Sequence, residues 1–169
     1  MLCFDIRSLV ANAAKVDGSV PPDDPVWIAE DARPDAAVRV TGRLSAAGEG
    51  RFYFNGRFDG TVTMECRRCL TPVAVAVADD VSAIFTDADN EDAGDPDVFP
   101  IADGGRTVDL RPAIREQLLL NVPWFAQCRP DCRGICPTCG IDRNVGTCTC
   151  APTTETRWDA LRALRSQAD

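Results

Sequence analysis

Apolar and polar residues alternate through much of the first half of the chain, and that period is where its structure can first be read. Leu2, Phe4 and Ile6 alternate with polar or smaller neighbours and predict a half-buried first strand. Residues 11–36 lose the period. An Ala-rich start gives way to GSVPPDDPVW and EDARPD, which predicts loop or at best a short helix. From Ala37 the pattern is antiparallel β: Val38, Val40 and Leu44 alternate, and Ala46-Ala47-Gly48-Glu49-Gly50 makes a turn. Phe52, Phe54 and Phe58 then share one face of the returning strand, with Gly56 marking a bulge or bend. Asp59-Gly60 is a turn signal, although the strand can also run through it to Val62 and Met64. After Pro72, Val73, Val75 and Val77 alternate again, and Val81, Ala83 and Phe85 extend the period. The intervening Cys66-Arg67-Arg68-Cys69 therefore falls at a hairpin tip.

The second half changes character. Residues 86–106 read as a long acidic loop with a short extended piece at Val98-Phe99-Pro100-Ile101. Asp109 is placed to cap a helix that tolerates Pro112 in its first turn. Leu110, Ile114 and Leu118 give that helix an apolar stripe, broadened by Leu119, and Pro123 ends it. Thr156 caps a closing helix whose apolar edge is Trp158, Leu161 and Leu164. The expected fold class is α+β in one domain. Residues 1–85 form mainly antiparallel β, as a sheet or partly open barrel; 86–106 form the acidic loop; 107–169 form a helix, a cysteine-rich segment and the closing helix.

Composition narrows the setting. A chain of 169 residues has room for a real core, and no apolar run approaches the roughly 18 residues that would span a bilayer. The start, MLCFDIRSLV, interrupts its apolar residues with charge and does not read as a signal peptide. A cytoplasmic, reducing location is expected, where nine cysteines would not rest on disulfides. Cys3 lies far from the other eight and is the natural spare, a buried small hydrophobe.

The net charge of −8 argues against coating nucleic acid by bulk electrostatics. Its distribution weakens that objection. Residues 17–36 hold six acids and one base, and residues 87–97 hold six acids and no base, so the rest of the chain is cationic. Arginines gather around the cysteines: Arg67, Arg68, Arg129, Arg133 and Arg143 are candidate RNA contacts, or a solvated face offsetting thiolate charge. Histidine is absent, which removes the commonest acid–base group and leaves thiolates or carboxylates as zinc ligands.

Six of the nine cysteines stand within Cys128–Cys150, spaced Cys128-x3-Cys132-x3-Cys136-x2-Cys139-x8-Cys148-x-Cys150. Two-residue spacing lets a tight turn aim both thiolates at one metal, and in Cys136-Pro137-Thr138-Cys139-Gly140 proline stiffens the turn while glycine relieves crowding. Zinc, as one or two ions, is the expected cofactor. In one arrangement Cys136, Cys139, Cys148 and Cys150 hold one ion, and Cys66, Cys69, Cys128 and Cys132 a second. In another Cys66/Cys69 meet Cys136/Cys139 as in a zinc ribbon, and a single metal with several free thiols is a third. Three competitors fit less well. Cys132-x3-Cys136-x2-Cys139 matches radical S-adenosylmethionine spacing, but the chain is too short for the barrel and lacks a βα alternation. Neither Cys-x-x-Cys pair opens a helix after a strand, as a thioredoxin-like motif requires. Nucleophilic cysteine catalysis has no histidine partner.

These residues together resemble the YceD family, the large ribosomal RNA subunit accumulation proteins. The likeness rests on CFDIRSL, the Cys-Arg-Arg-Cys-Leu knuckle with Pro72, Val108-Asp109-Leu110 and Leu118-Leu119-Leu120-Asn121-Val122-Pro123. It continues with Cys128, Cys132, Gly134-Ile135-Cys136-Pro137-Thr138-Cys139-Gly140, Cys148-x-Cys150, Arg157-Trp158 and Leu161. Glu155-Thr156 departs from the Asp-Pro found before the Arg-Trp pair in similar proteins, and Pro21-Pro22-Asp23-Asp24 matches nothing in the pattern. The resemblance implies a non-enzymatic role in synthesis, processing or stability of large-subunit ribosomal RNA and in ribosome assembly. Its expected partner is that RNA or a basic large-subunit ribosomal protein, with no membrane and no DNA. The alternatives are a zinc-stapled interaction adaptor unrelated to ribosomes and a small metal or thiol redox protein.

Overall fold

The computed structural model of the chain describes residues 2–48, 50–87 and 95–151. They fall into two compact units. Unit 1 takes the chain to Met64 and again from Pro72 to Ala126, and unit 2 takes Glu65–Thr71 and resumes at Gln127.

Unit 1 begins with β1 (Cys3–Asp5), shorter than the alternation suggests because Ile6 already opens helix α1 (Ile6–Ala11). Asp5 stops the strand by capping that helix, its carboxylate accepting from the Arg7 N–H at 2.8 Å. The segment expected to be loop contains a seven-residue strand, β2 (Ala14–Val20). Val16 and Val20 are its fully buried positions, and Gly18 between them removes the side chain that would have completed the alternation.

β2 leads a five-stranded sheet with β3 (Val38–Ala46), β4 (Arg51–Glu65), β5 (Pro72–Thr86) and β6 (Val98–Pro100), in the order β2-β3-β4-β5-β6. The sheet is open, with β2 and β6 at its edges. β2–β3 and β3–β4 are antiparallel, and β6 adds to β5 in parallel. Asp59-Gly60 makes no turn; β4 runs through it. Gly56 makes no bulge either, because it pairs in register with Gly42. A Cβ at Gly42 would lie 2.9 Å from the Phe54 ring, and one at Gly56 2.7 Å from it. The two glycines leave room for that ring, which is fully buried, where any side chain would displace it.

The single turn α2 (Ala102–Gly105) and strand β7 (Thr107–Asp109) follow β6. β7 pairs antiparallel with β1 in a second, two-stranded sheet. Helix α3 (Arg111–Asn121) then lays Ala113, Ile114 and Leu118 into the core, beside the fully buried Leu110 just before it. By backbone geometry the capping position is Leu110 rather than Asp109, yet the Asp109 carboxylate still accepts the Arg111 N–H at 3.0 Å. Val122 ends the helix before Pro123.

Residues 21–37 have no regular structure but are firmly held. Trp27 is buried and donates its indole N–H to the Pro21 carbonyl at 2.9 Å. Arg111 pairs with Asp24 and Asp109, Arg115 forks onto both oxygens of Asp31 at 2.6 Å, and Asp35 accepts from the N–H and hydroxyl of Thr63. Most of the acidity of this stretch is therefore engaged inside unit 1. No helix among the described residues is long and apolar enough to cross a membrane. The closing helix expected at Thr156, with Trp158, Leu161 and Leu164, and most of the acidic loop at 87–97 lie outside the described residues.

Candidate metal centres

Unit 2 contains two turns of one design. In the first, the Leu70 N–H bonds to the Cys66 carbonyl and the Cys66 N–H to the Thr71 carbonyl, both at 2.9 Å. In the second, the Gly140 N–H bonds to the Cys136 carbonyl and the Cys136 N–H to the Ile141 carbonyl, again both at 2.9 Å. This geometry puts the residue after the second cysteine in the left-handed region. Gly140 takes it at φ 73°, as glycine does without strain, while Leu70 takes it at φ 61° against the clash of its own Cβ.

The turns aim their cysteines at two groups. The sulfurs of Cys66, Cys69, Cys128 and Cys132 all lie within 4.8 Å of one another, and so do those of Cys136, Cys139, Cys148 and Cys150. The structure thus brings Cys66/Cys69 to Cys128/Cys132 and not to Cys136/Cys139. Cys66 Sγ is 3.9 Å from Cys132 Sγ, and Cys69 Sγ is 3.6 Å from Cys128 Sγ. These are not disulfides, which need about 2.05 Å. They bracket the edge of about 3.8 Å expected for four sulfurs placed tetrahedrally at about 2.3 Å from zinc. All nine cysteines are free thiols, and Cys3, in unit 1, is half-buried rather than fully buried.

The electrostatics of each group favour some thiolates and resist the full set. Backbone N–H groups of Cys128 and Arg68 point at the Cys66 sulfur and hold its pKa down at about 6. The N–H groups of Cys139 and Thr138 do the same for Cys136, also to about 6. Burial resists ionisation of Cys132, but the Asn144 amide at 3.4 Å and the Gly134 N–H outweigh it and lower its pKa. Burial and the neighbouring Cys132 push Cys128 up to about 12, and Cys139 with burial pushes Cys150 up to about 12. Cys148 is raised by Cys136. Four thiolates this close repel one another unless a cation sits among them, and a soft divalent ion would stabilise all four. Each set could hold a metal ion, and its sulfur-only donors and spacing are compatible with zinc.

Residues that the spacing did not single out join the two groups within unit 2. Asn144 accepts from the Arg133 N–H at 2.8 Å and from the Arg129 guanidinium at 3.0 Å, while its amide faces Cys132 and Asp142. Gly134 lets the second turn approach the first: the Ile135 N–H reaches the Arg68 carbonyl at 2.8 Å, and a Cβ on Gly134 would lie 2.8 Å from that oxygen. Gly134 was marked in the sequence only by the family resemblance, and an asparagine in a polar loop carries no signal.

The five arginines separate by what their side chains touch. Arg68 donates to the Cys132 carbonyl at 2.6 Å, and Arg129 pairs with Asp131 as well as Asn144. Arg67 is exposed at the tip of the first turn. Arg133 and Arg143 are exposed and line a cleft of about 490 Å³ together with Thr138, Thr147, Cys148 and Cys150.

A family model described as large ribosomal RNA subunit accumulation protein YceD matches residues 54–165, a stretch that contains all eight clustered cysteines. An uncharacterised protein of Mycobacterium tuberculosis is 32% identical over 102 residues, which is 59% of this chain and 48% of that protein. The chloroplastic large ribosomal RNA subunit accumulation protein YCED homolog 1 of Zea mays is 28% identical over 134 residues, 61% of this chain and 45% of the maize protein. An uncharacterised protein of Bacillus subtilis is 24% identical over 143 residues, 84% of this chain and 81% of that protein. The chain spans about half the length of the mycobacterial and maize relatives. No solved structure matches it.

Proposed function

Because the chain belongs to the YceD family of large ribosomal RNA subunit accumulation proteins, we propose that it is a cytoplasmic, non-enzymatic factor supporting the synthesis, processing or stability of large-subunit ribosomal RNA. Its partner in ribosome assembly is that RNA or a basic large-subunit ribosomal protein. The observation that carries this reading is the family match over residues 54–165. The non-enzymatic part has separate support: the chain has no histidine, and eight of its cysteines stand in two sets suited to holding metal rather than to nucleophilic work. We read both sets as structural zinc sites that stabilise unit 2.

Affinity capture from cells, with and without ribonuclease, tests the function. Large-subunit RNA precursors and proteins are expected among the captured material, and their absence would overturn the reading. Ribonuclease separates the two partners, since a protein partner survives it. For direct RNA contact, Arg133 and Arg143 are the preferred phosphate ligands in unit 2, because their side chains make no hydrogen bond or ion pair with any described residue. Arg67 is a further candidate, whereas replacing Arg68 or Arg129 would disturb the metal centres. Removing one arginine–phosphate pair should flatten the slope of log affinity against log salt by about 0.7 for single-stranded RNA. The double replacement Arg133→Gln/Arg143→Gln is therefore expected to flatten it by about 1.4.

A further inference from the structure

The solvent face of the sheet in unit 1 carries a feature that folding alone does not explain. Lys15 of β2 and Arg43 of β3 stand directly opposite each other in the antiparallel register. Like charges in that position oppose strand pairing. Both side chains are exposed, and neither makes a hydrogen bond or ion pair with any described residue. The other basic residues of the neighbouring positions have acids: Arg39 pairs with Asp17 at 3.8 Å, and Arg57 with Asp80 at 3.5 Å. Lys15 is also the only lysine in the chain.

Beside this pair lies a groove of about 410 Å³. Its floor is the backbone of the Gly42–Gly56 pair, and its walls include Thr41, Arg43, Asn55, Arg57 and Asp80. Neighbouring strands lie about 4.8 Å apart, so Lys15, Arg43 and Arg57 present cations from three consecutive strands. Tyr53 sits two residues along β4 from Asn55, the residue that faces Arg43; it pairs with Ser45 and is diagonal to Arg43. The residue is 38% exposed, and its hydroxyl donates to the Ser82 hydroxyl at 3.0 Å. An exposed ring beside unpaired cations and a polar groove is the combination that binds single-stranded nucleic acid, by base stacking along a phosphate track. An acidic peptide would use the cations and leave the ring idle.

We propose that this face of unit 1, built on Lys15, Arg43, Arg57 and Tyr53, is a binding surface for single-stranded RNA, separate from the arginines of unit 2. The inference deepens the function proposed above and rests on RNA being the partner. The exposed Arg57–Asp80 pair is weak in water, so Arg57 can exchange its carboxylate for a phosphate.

The test uses the full chain and a fluorescently labelled single-stranded oligouridylate, titrated across a range of salt. Lys15→Gln/Arg43→Gln is expected to flatten the salt slope by about 1.4, two phosphates at about 0.7 each. Tyr53→Leu is expected to weaken binding about 5-fold or more at every salt concentration without changing the slope. Asp80→Asn is expected to tighten binding. The Lys15→Gln chain should melt no lower than the parent, since it removes a repulsion. If the parent binds the oligonucleotide and the double variant keeps its slope, this surface is wrong while the RNA reading stands. If the slope flattens but Tyr53→Leu is inert, the cations hold phosphates without base stacking, and the assignment of Tyr53 to the surface is overturned. If the parent binds no RNA yet captures large-subunit proteins, direct RNA contact fails in both units and the assembly role survives. Melting below the parent would make the Lys15–Arg43 pair structural and overturn the proposal.

Discussion

Single residues reveal how unit 2 is built. Its two cysteine turns close with the same two main-chain hydrogen bonds, and they differ at the left-handed position, glycine in one and leucine in the other. A Cβ on Gly140 would touch nothing within 4 Å, so Gly140→Ala should cost only the left-handed penalty of about 1–2 kcal/mol. Gly134→Ala adds a collision with the Arg68 carbonyl and should lower the melting temperature further than Gly140→Ala does. Equal losses in a thermal melt would refute the close approach of the two turns. In unit 1 the comparable residue is Asp31. The Arg115 guanidinium holds its carboxyl below the usual carboxylate range, with burial opposing and the Ile28 N–H assisting. A depressed carboxyl stabilises the fold above its unfolded pKa of about 3.9 and loses that contribution as pH falls through its folded value. Asp31→Asn should therefore lose about 1–3 kcal/mol at neutral pH. The gap from the parent should narrow only below about pH 4. A gap that stays constant to pH 2 in denaturant titrations would contradict this.

Among elements, α3 was the most legible, because Leu110, Ile114 and Leu118 announce a helix face and all three are fully buried. Leu118→Ala should lose about 2–5 kcal/mol in denaturant unfolding. A loss below about 1 kcal/mol would mean the helix is not core. β3, β4 and β5 were legible for the same reason at period two. β2 was not: Ala14, Val16 and Val20 alternate, but Gly18 interrupts the apolar face and Lys15-Asp17-Ser19 dominates the composition. The glycine pair misled differently. Gly56 reads as a bend, and only a long-range pairing with Gly42 under the Phe54 ring explains it. Local sequence carries propensity and period, whereas such packing depends on which strands meet.

The same limit holds for the whole molecule. Each Cys-x-x-Cys turn could be read from spacing, since it closes within six residues. Which pairs share a site could not, because Cys66 and Cys132 are 66 residues apart and the hydrogen bonds that bring them together run through Arg68, Gly134 and Asn144. The central claim is that the two groups of four sulfurs are zinc sites. Metal removal should loosen unit 2, and a chain whose melting ignores chelator would count against that. The most direct measurement is metal analysis of the freshly purified chain together with its visible absorption spectrum. A colourless protein with two zinc ions per chain is the predicted result. Iron with visible sulfur-to-metal absorption, or a chain carrying no metal at all, would contradict the claim.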